Sequence, residues 1–248
     1  MTIAAARHLR DCDVCFVGIG KPSAAANLAR LTQAPRIVLI YESGTIGAKP
    51  GLLPLSIGDG ELAQTADSVV SVPEIFRYWL QSGRIDVGFL GAAQIDRFGN
   101  INTTIIGGTY EKPQVRLPGA GGAPEIAIAA KRVCIILKQS RRTFVEKVDF
   151  VTSCGCFGDH RSEHASTTVI TDLGIFISDS TTRELVLSSL HPGVTEKRAR
   201  EATGWDLKVS RDLNETSPPC SEELVVLRDL YARTALAYGT SAGSTSAE

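Results

Sequence analysis

The sequence carries almost no surplus charge: 26 Lys and Arg stand against 27 Asp and Glu, a net charge of −1. That balance gives no electrostatic case for nucleic acid or an anionic membrane, both of which are held by clustered cations. The basic cluster Lys197, Arg198 and Arg200 reads as the solvated face of a helix. No apolar run approaches the roughly 20 residues needed to cross a bilayer. The N-terminus, MTIAAARHLRD, reaches Arg10 and Asp11 without the apolar core of a signal segment. A cytoplasmic location is expected. Six cysteines in 248 residues do not suggest a disulfide scaffold. Cys12-x-x-Cys15 lacks a second such pair to complete a zinc site. The spacing of Cys154, Cys156, His160 and His164 is not a standard ligand spacing. No metal is expected, and that stretch reads as a Gly-containing rim or surface loop. Internal repeats and linkers are also lacking, so a single domain over 1–238 is expected. The small polar residues of 239–248 read as a disordered tail.

What is present is an ordinary globular balance, 43% hydrophobic and 21% charged, enough for a sizeable core. Apolar runs of strand length alternate with helical patterns, which predicts βαβ units and an α/β fold with an open, largely parallel sheet and flanking helices. Val14–Ile19 is a continuous buried-type strand, and Pro22 opens an Ala/Leu-rich helix to about Leu31. Further strands are expected at Ile37–Tyr41, Val69–Val72, Val87–Leu90, Arg132–Leu137, Ile175–Ile177 and Leu185–Leu187. Helices are expected from Pro73 to Leu80, from Thr195 to Ala202, and from Glu222 to about Ala237 with Ser221 as the cap.

Glycine concentrates where such strands end, which is where an open α/β sheet holds its ligands. The first loop, Gly18-Ile19-Gly20-Lys21-Pro22, lacks the third glycine of a dinucleotide fingerprint, so nicotinamide binding is not expected. The second, Glu42-Ser43-Gly44-Thr45-Ile46-Gly47, puts a carboxylate directly after five apolar and aromatic residues. A carboxylate in that partly desolvated place is either hydrogen-bonded as a turn or cap residue, or faces a ligand cleft. The third loop contains Gly91, Gln94, Asp96, Gly99, Asn100 and Asn102, and its Asp96–Asn100 stretch has turn chemistry. The fourth, Gly119-Ala120-Gly121-Gly122-Ala123, lets a ligand approach the main chain and meet its N–H groups.

Taken together, these loops resemble the family I coenzyme A transferases, in particular the β subunit of glutaconate CoA-transferase. The match lies in Ile40-Tyr41-Glu42-Ser43-Gly44, in Gly91 to Asn102 with Ala92 in place of a glycine, and in Gly119 to Ala123. It continues through Arg141-Arg142 with Phe144, Lys147 to Ser153, Val169 to Gly174, and Thr203-Gly204-Trp205-Asp206, in family order over nearly the whole chain. The resemblance implies that Glu42 is the catalytic nucleophile, forming a covalent enzyme–CoA thioester in a ping-pong transfer between an acyl-CoA and a carboxylic acid of the glutaconate/dicarboxylate or 3-oxoacid type. It further implies that Gly119, Ala120, Gly121 and Gly122 hold CoA and the oxyanion, without saying which one donates. Ser43, Gly44, Gly18, Gly20, Gln94 and Asn100 would complete the active-site loops. Coenzyme A enters as substrate and covalent intermediate, with no permanently bound cofactor. A homologous α subunit is implied as partner, in an α2β2 heterotetramer. Lys21 departs from the glutaconate enzyme; it reads as a solvent-exposed loop lysine, with a substrate carboxylate or a CoA phosphate as the alternative partner. The same fold also serves CoA-thioester hydrolases, C–C bond-cleaving enzymes and a non-catalytic ligand sensor, which are the competing readings.

Overall fold

A computed structural model describes residues 1–155 and 166–239. Cys156, His160 and His164 therefore lie outside the described residues, as does the tail from 240. Ten strands form an open mixed sheet flanked by helices, the α/β class expected from the alternating pattern. The described residues divide into two compact units. One comprises Met1–Val87 and the chain from Pro219 on; the other comprises Gly88–Pro218.

The first unit starts with α1 (Thr2–Arg7), then β1 (Val14–Val17), α2 (Lys21–Leu31) and β2 (Val38–Tyr41). These two strands are short continuous apolar runs because both of their faces are covered. They pair in parallel, with Val14 opposite Val38 and Val17 opposite Tyr41. Pro22 suits the first turn of α2, where its missing N–H breaks no bond. Every residue from Ser23 to Ala29 is buried, so this small-residue helix is packed all round. A tight turn leads into β3 (Thr45–Ile46), followed by α3 (Gly60–Gln64) and β4 (Ser68–Val69), with β3 antiparallel to both β2 and β4. The strand expected to reach Val72 stops at Val69. Val72 instead begins α4 (Val72–Glu74), because the Glu74 carboxylate returns to the N–H (2.9 Å) and hydroxyl (2.8 Å) of Ser71 and fixes the helix start there. That helix continues as a π-helical turn over Ile75–Leu80.

The closing helix, α7 (Ser221–Tyr238), is capped by Cys220 and not by Ser221. The carboxylate of Glu223 must stand three residues beyond the cap to accept its N–H, and it accepts that of Cys220 at 2.8 Å. The same carboxylate takes both Nε and Nη2 of Arg7 at 2.6 Å, joining α7 to α1.

The second unit continues β5 (Val87–Leu90) into β6 (Gln94–Ile95) and β7 (Ile101–Asn102), an antiparallel pair, and then a hairpin of β8 (Ile105–Gly108) and β9 (Pro113–Arg116). After α5 (Ala123–Ala129) come β10 (Arg132–Ile136), β11 (Ser166–Ile170), β12 (Gly174–Ser178), β13 (Leu185–Leu190), α6 (Glu196–Glu201) and β14 (Lys208–Glu215). β10 and β11 are parallel, β12 is antiparallel to β11 and β13, and β14 returns parallel to β13. Its core includes Phe144, with ring centroids 5.3 Å from Phe176 and 5.5 Å from Trp205. Phe144 is tied to β6 through its neighbours, since Ile95 N–H donates to the Thr143 carbonyl and Val145 N–H to that of Ile95. Arg200 of α6 pairs with Glu196 at 2.7 Å, so the basic cluster is partly neutralised on its own helix face.

The Arg7 guanidinium holds the Glu223 carboxyl well below its ordinary 4.5, at about 2. Because the folded value is the lower one, the pair stabilises the fold above about pH 4.5, and this contribution is lost as pH falls toward about 2. Arg7→Ala should therefore lower the melting temperature near neutrality. Thermal melts across that acid range should show the gap to the parent protein closing.

Candidate active site

In the first unit the parallel register decides which loops are neighbours. Val17 stands opposite Tyr41, so Gly18 and Glu42 leave the sheet side by side at the carboxyl ends of β1 and β2. Gly20, with φ +79°, is the residue before α2, and a Cβ on it would meet no heavy atom within 4 Å. The start of α2, including Lys21, thus lies at the same end of these strands as Glu42.

The turn itself is set by steric necessity. Gly44 N–H donates to the Tyr41 carbonyl at 3.0 Å, closing a four-residue turn over Glu42 and Ser43. Gly44 has φ +109°, and a Cβ there would run into the backbone carbonyl of Val70, whose N–H donates to the Gly44 carbonyl at 2.9 Å. Only glycine fits. Glu42 is half-buried, and among the described residues its carboxylate has no hydrogen bond or ion pair. It is not serving as a cap or turn acceptor. On either side of Gly44, the hydroxyls of Ser43 and Thr45 are buried without a partner.

Behind the turn, Tyr41 is 0% exposed and its hydroxyl lies 3.0 Å from that of Ser23 in the first turn of α2. Asn27 donates to the Ser23 carbonyl (3.0 Å), and Arg30 reaches Asn27 Oδ1 (3.2 Å) and the Pro50 carbonyl (2.9 Å). Burial pushes the Tyr41 phenol up to about 12, against the hydrogen bonds from Ser23 and Asn27. It stays neutral and ties β2 to α2. Sequence reasoning missed this chain of polar groups; the available signal was Ser23 and Asn27, one helical turn apart in an otherwise apolar helix.

In the second unit, Gln94 and Asn100 are spent on architecture. Gln94 Oε1 accepts from Asn102 Nδ2 (2.8 Å) and from the N–H of Asp149 (3.0 Å), and its Nε2 donates to Asp149 (3.2 Å). Asn100 donates to Asp96 (2.9 Å) and accepts the N–H of Gly155 (2.9 Å). These bonds bring the third and fourth loops together, because Thr103, next to Asn102, both accepts the Gly119 N–H and donates its hydroxyl to the Gly119 carbonyl, each at 2.8 Å. The Gly119 N–H is therefore committed and cannot serve as an oxyanion donor, which corrects the expectation that all four loop residues are equivalent. Ala120, Gly121 and Gly122 make no such bond through their N–H groups among the described residues. Among the described residues no group of His, Cys, Asp and Glu could hold a metal ion. Cys15 is buried and Cys12 exposed, and neither is in a disulfide. No helix of the described residues is long and apolar enough to cross a membrane.

Against this geometry stand the likenesses to known proteins. Residues 1–201 match the family described as Coenzyme A transferase. The chain is 62% identical to the B-type subunit of 3-oxoadipate CoA-transferase from Pseudomonas knackmussii, covering 98% of this chain and 96% of that protein. It is 31% identical to the B-type subunit of glutaconate CoA-transferase from Acidaminococcus fermentans, over 87% and 85% of the two chains. The crystal structure of that enzyme superposes with a TM-score of 0.84, at 28% identity over 92% of this chain and 91% of the other. A decarboxylase, AibA/AibB, superposes at 0.81 with 27% identity over 92% of each chain. The glutaconate likeness seen in the loops thus holds, and a 3-oxoadipate enzyme is nearer.

Gly44→Ala should lower stability by about 2–3 kcal/mol through overpacking against Val70 and a disfavoured φ. Denaturant melts measure the loss, and an unchanged midpoint would contradict the turn geometry.

Proposed function

Because the chain belongs to the coenzyme A transferase family, we propose that it is the β subunit in an enzyme that moves CoA from an acyl-CoA to 3-oxoadipate, with Glu42 as nucleophile. The observation that carries the chemistry is the half-buried Glu42 carboxylate, held on a turn that only glycine can close and left without a partner. The 62% likeness over nearly the whole chain supports the acid. Both transferase relatives are named as one of two kinds of subunit, which supports a homologous α subunit as partner. We assign the pair to an α2β2 assembly in the cytoplasm.

In this reading Glu42 Oε attacks the thioester carbonyl of the donor and CoA leaves as thiolate, giving a mixed anhydride. The thiolate then attacks the glutamyl carbonyl and expels the donor acid, leaving a Glu42–CoA thioester. The acceptor carboxylate reverses both steps. One thioester and one carboxylate are present at the start and at the end, so no outside energy source is required. Each addition creates an oxyanion, and a preorganised backbone donor stabilises such a charge by roughly 3–4 kcal/mol. We assign that role to the uncommitted N–H groups among Ala120, Gly121 and Gly122. Coenzyme A is substrate and covalent intermediate, not a resident cofactor.

The test uses the complex with its α subunit. Acyl-CoA followed by borohydride should inactivate the parent complex by reducing a Glu42 thioester, detectable by mass spectrometry. Glu42→Ala should lower CoA transfer by roughly 10³-fold or more while retaining the fold. Full activity in that variant would overturn the reading, as would release of free CoA at the turnover rate without any acceptor acid.

A further inference from the structure

Two groups of the first unit remain without a task at the end of the sheet that presents Glu42. The first is Lys21. It stands in the first turn of α2, an eleven-residue helix with no acidic residue in that turn and no side-chain cap. A cation there opposes the positive end of the helix dipole and is unfavourable unless an anion joins it. Lys21 is partly buried rather than fully exposed, and among the described residues it has no ion pair. The other charged side chains nearby are already engaged: Lys49 pairs with Asp67 at 2.6 Å, and Arg30 serves Asn27 and Pro50.

The second group is Thr45. It is 3% exposed, yet its hydroxyl has no hydrogen-bond partner, and the same holds for the Ser43 hydroxyl two residues earlier. A buried hydroxyl left unsatisfied costs about 1–3 kcal/mol. Thr45 is placed by the pleat. Ile46 pairs with Ile40, so Thr45 stands opposite Tyr41 and shares its face of the sheet. Tyr41 reaches Ser23 in the first turn of α2, so the Thr45 hydroxyl is on the face that this turn covers.

We propose that Lys21, the free N–H groups at the start of α2 and the Thr45 hydroxyl form a subsite for the second carboxylate of a dicarboxylic acyl group. This rests on the transferase reading above and deepens it by stating why a diacid is chosen. Such a substrate brings a second negative charge toward an already anionic Glu42, and like charges repel unless a cation lies close by. Lys21 supplies that cation, the helix start supplies oriented N–H donors, and Thr45 donates the hydrogen bond it lacks in the free protein. Thr45 and Lys21 would then set affinity for the acid, while Glu42 sets the rate.

The experiment compares 3-oxoadipate with 3-oxohexanoate, a chain of the same length without the second carboxylate, as acceptors for the complex with the α subunit. Lys21→Ala should raise KM for 3-oxoadipate by about 10- to 100-fold, far more than for 3-oxohexanoate, and with kcat little altered. Lys21→Arg should recover most of the loss. Thr45→Val should raise the same KM by several-fold without lowering the melting temperature, because it removes an unsatisfied buried hydroxyl. A diacid preference unchanged in Lys21→Ala overturns the proposal. So does an equal rise in KM for the acyl-CoA whichever acid it carries, which would assign Lys21 to a CoA phosphate. Calorimetric binding of adipate and hexanoate separates this outcome from the transferase reading. If the parent complex moves no CoA to 3-oxoadipate, that reading fails. Adipate binding that is lost in Lys21→Ala still supports the subsite, and equal adipate binding by both proteins overturns it.

Discussion

Burying the last three residues of each of two adjacent parallel strands leaves the chain no room for a charged group until it leaves the sheet. At the end of β2 the first residue out is Glu42, and the chain must turn at once, because β3 comes back antiparallel along the same strand. The crowding of Val70 against Gly44 makes that turn rigid. A nucleophile must be close to reactive geometry before substrate arrives, since misplacement is costly in rate. Here the backbone provides the placement, and the carboxylate keeps its lone pairs for chemistry.

The two units handle polar groups differently. Around Gln94, Asn100, Asn102 and Thr103, side-chain donors and acceptors are matched to backbone groups, and the loops they hold are thereby pinned. Such a fully connected network has little left to offer a ligand. Around Glu42 the pattern is the reverse. A carboxylate, an ammonium and two buried hydroxyls stand uncommitted within a short stretch of β1–α2–β2–β3. Groups that folding leaves unsatisfied are those a substrate can satisfy. Tyr41 forms the boundary between these regimes: its phenol, buried and neutral, is satisfied by Ser23 and forms the floor beneath the open positions.

Much of the architecture was readable because apolar runs of strand length leave few alternatives. Val87–Leu90 appears as expected, and β1, β2 and β10 lie within a residue or two of the predicted bounds. β14 was invisible, since KVSRDLNE has no apolar alternation; as an exposed strand it pairs through its backbone with β13, and its side chains need no pattern. The β8–β9 hairpin escaped for a related reason, since Gln114, Val115 and Arg116 are all exposed and carry no burial periodicity. The cap of α7 shifted by one residue because a capping box is fixed by the reach of Glu223, which outweighs the preference of Ser221.

From the sequence alone follow the α/β class, the family, and Glu42 as the residue to watch, because a carboxylate breaking directly out of an apolar run is a one-dimensional signal. The tertiary structure alone decided which loop groups are free. Gly119 looks like its neighbours until Thr103 is found holding its N–H, and Thr45 looks like any strand threonine until its hydroxyl is found buried and alone. Whether a hydrogen-bonding group is satisfied depends on partners distant in the chain, and no local pattern of residues records them.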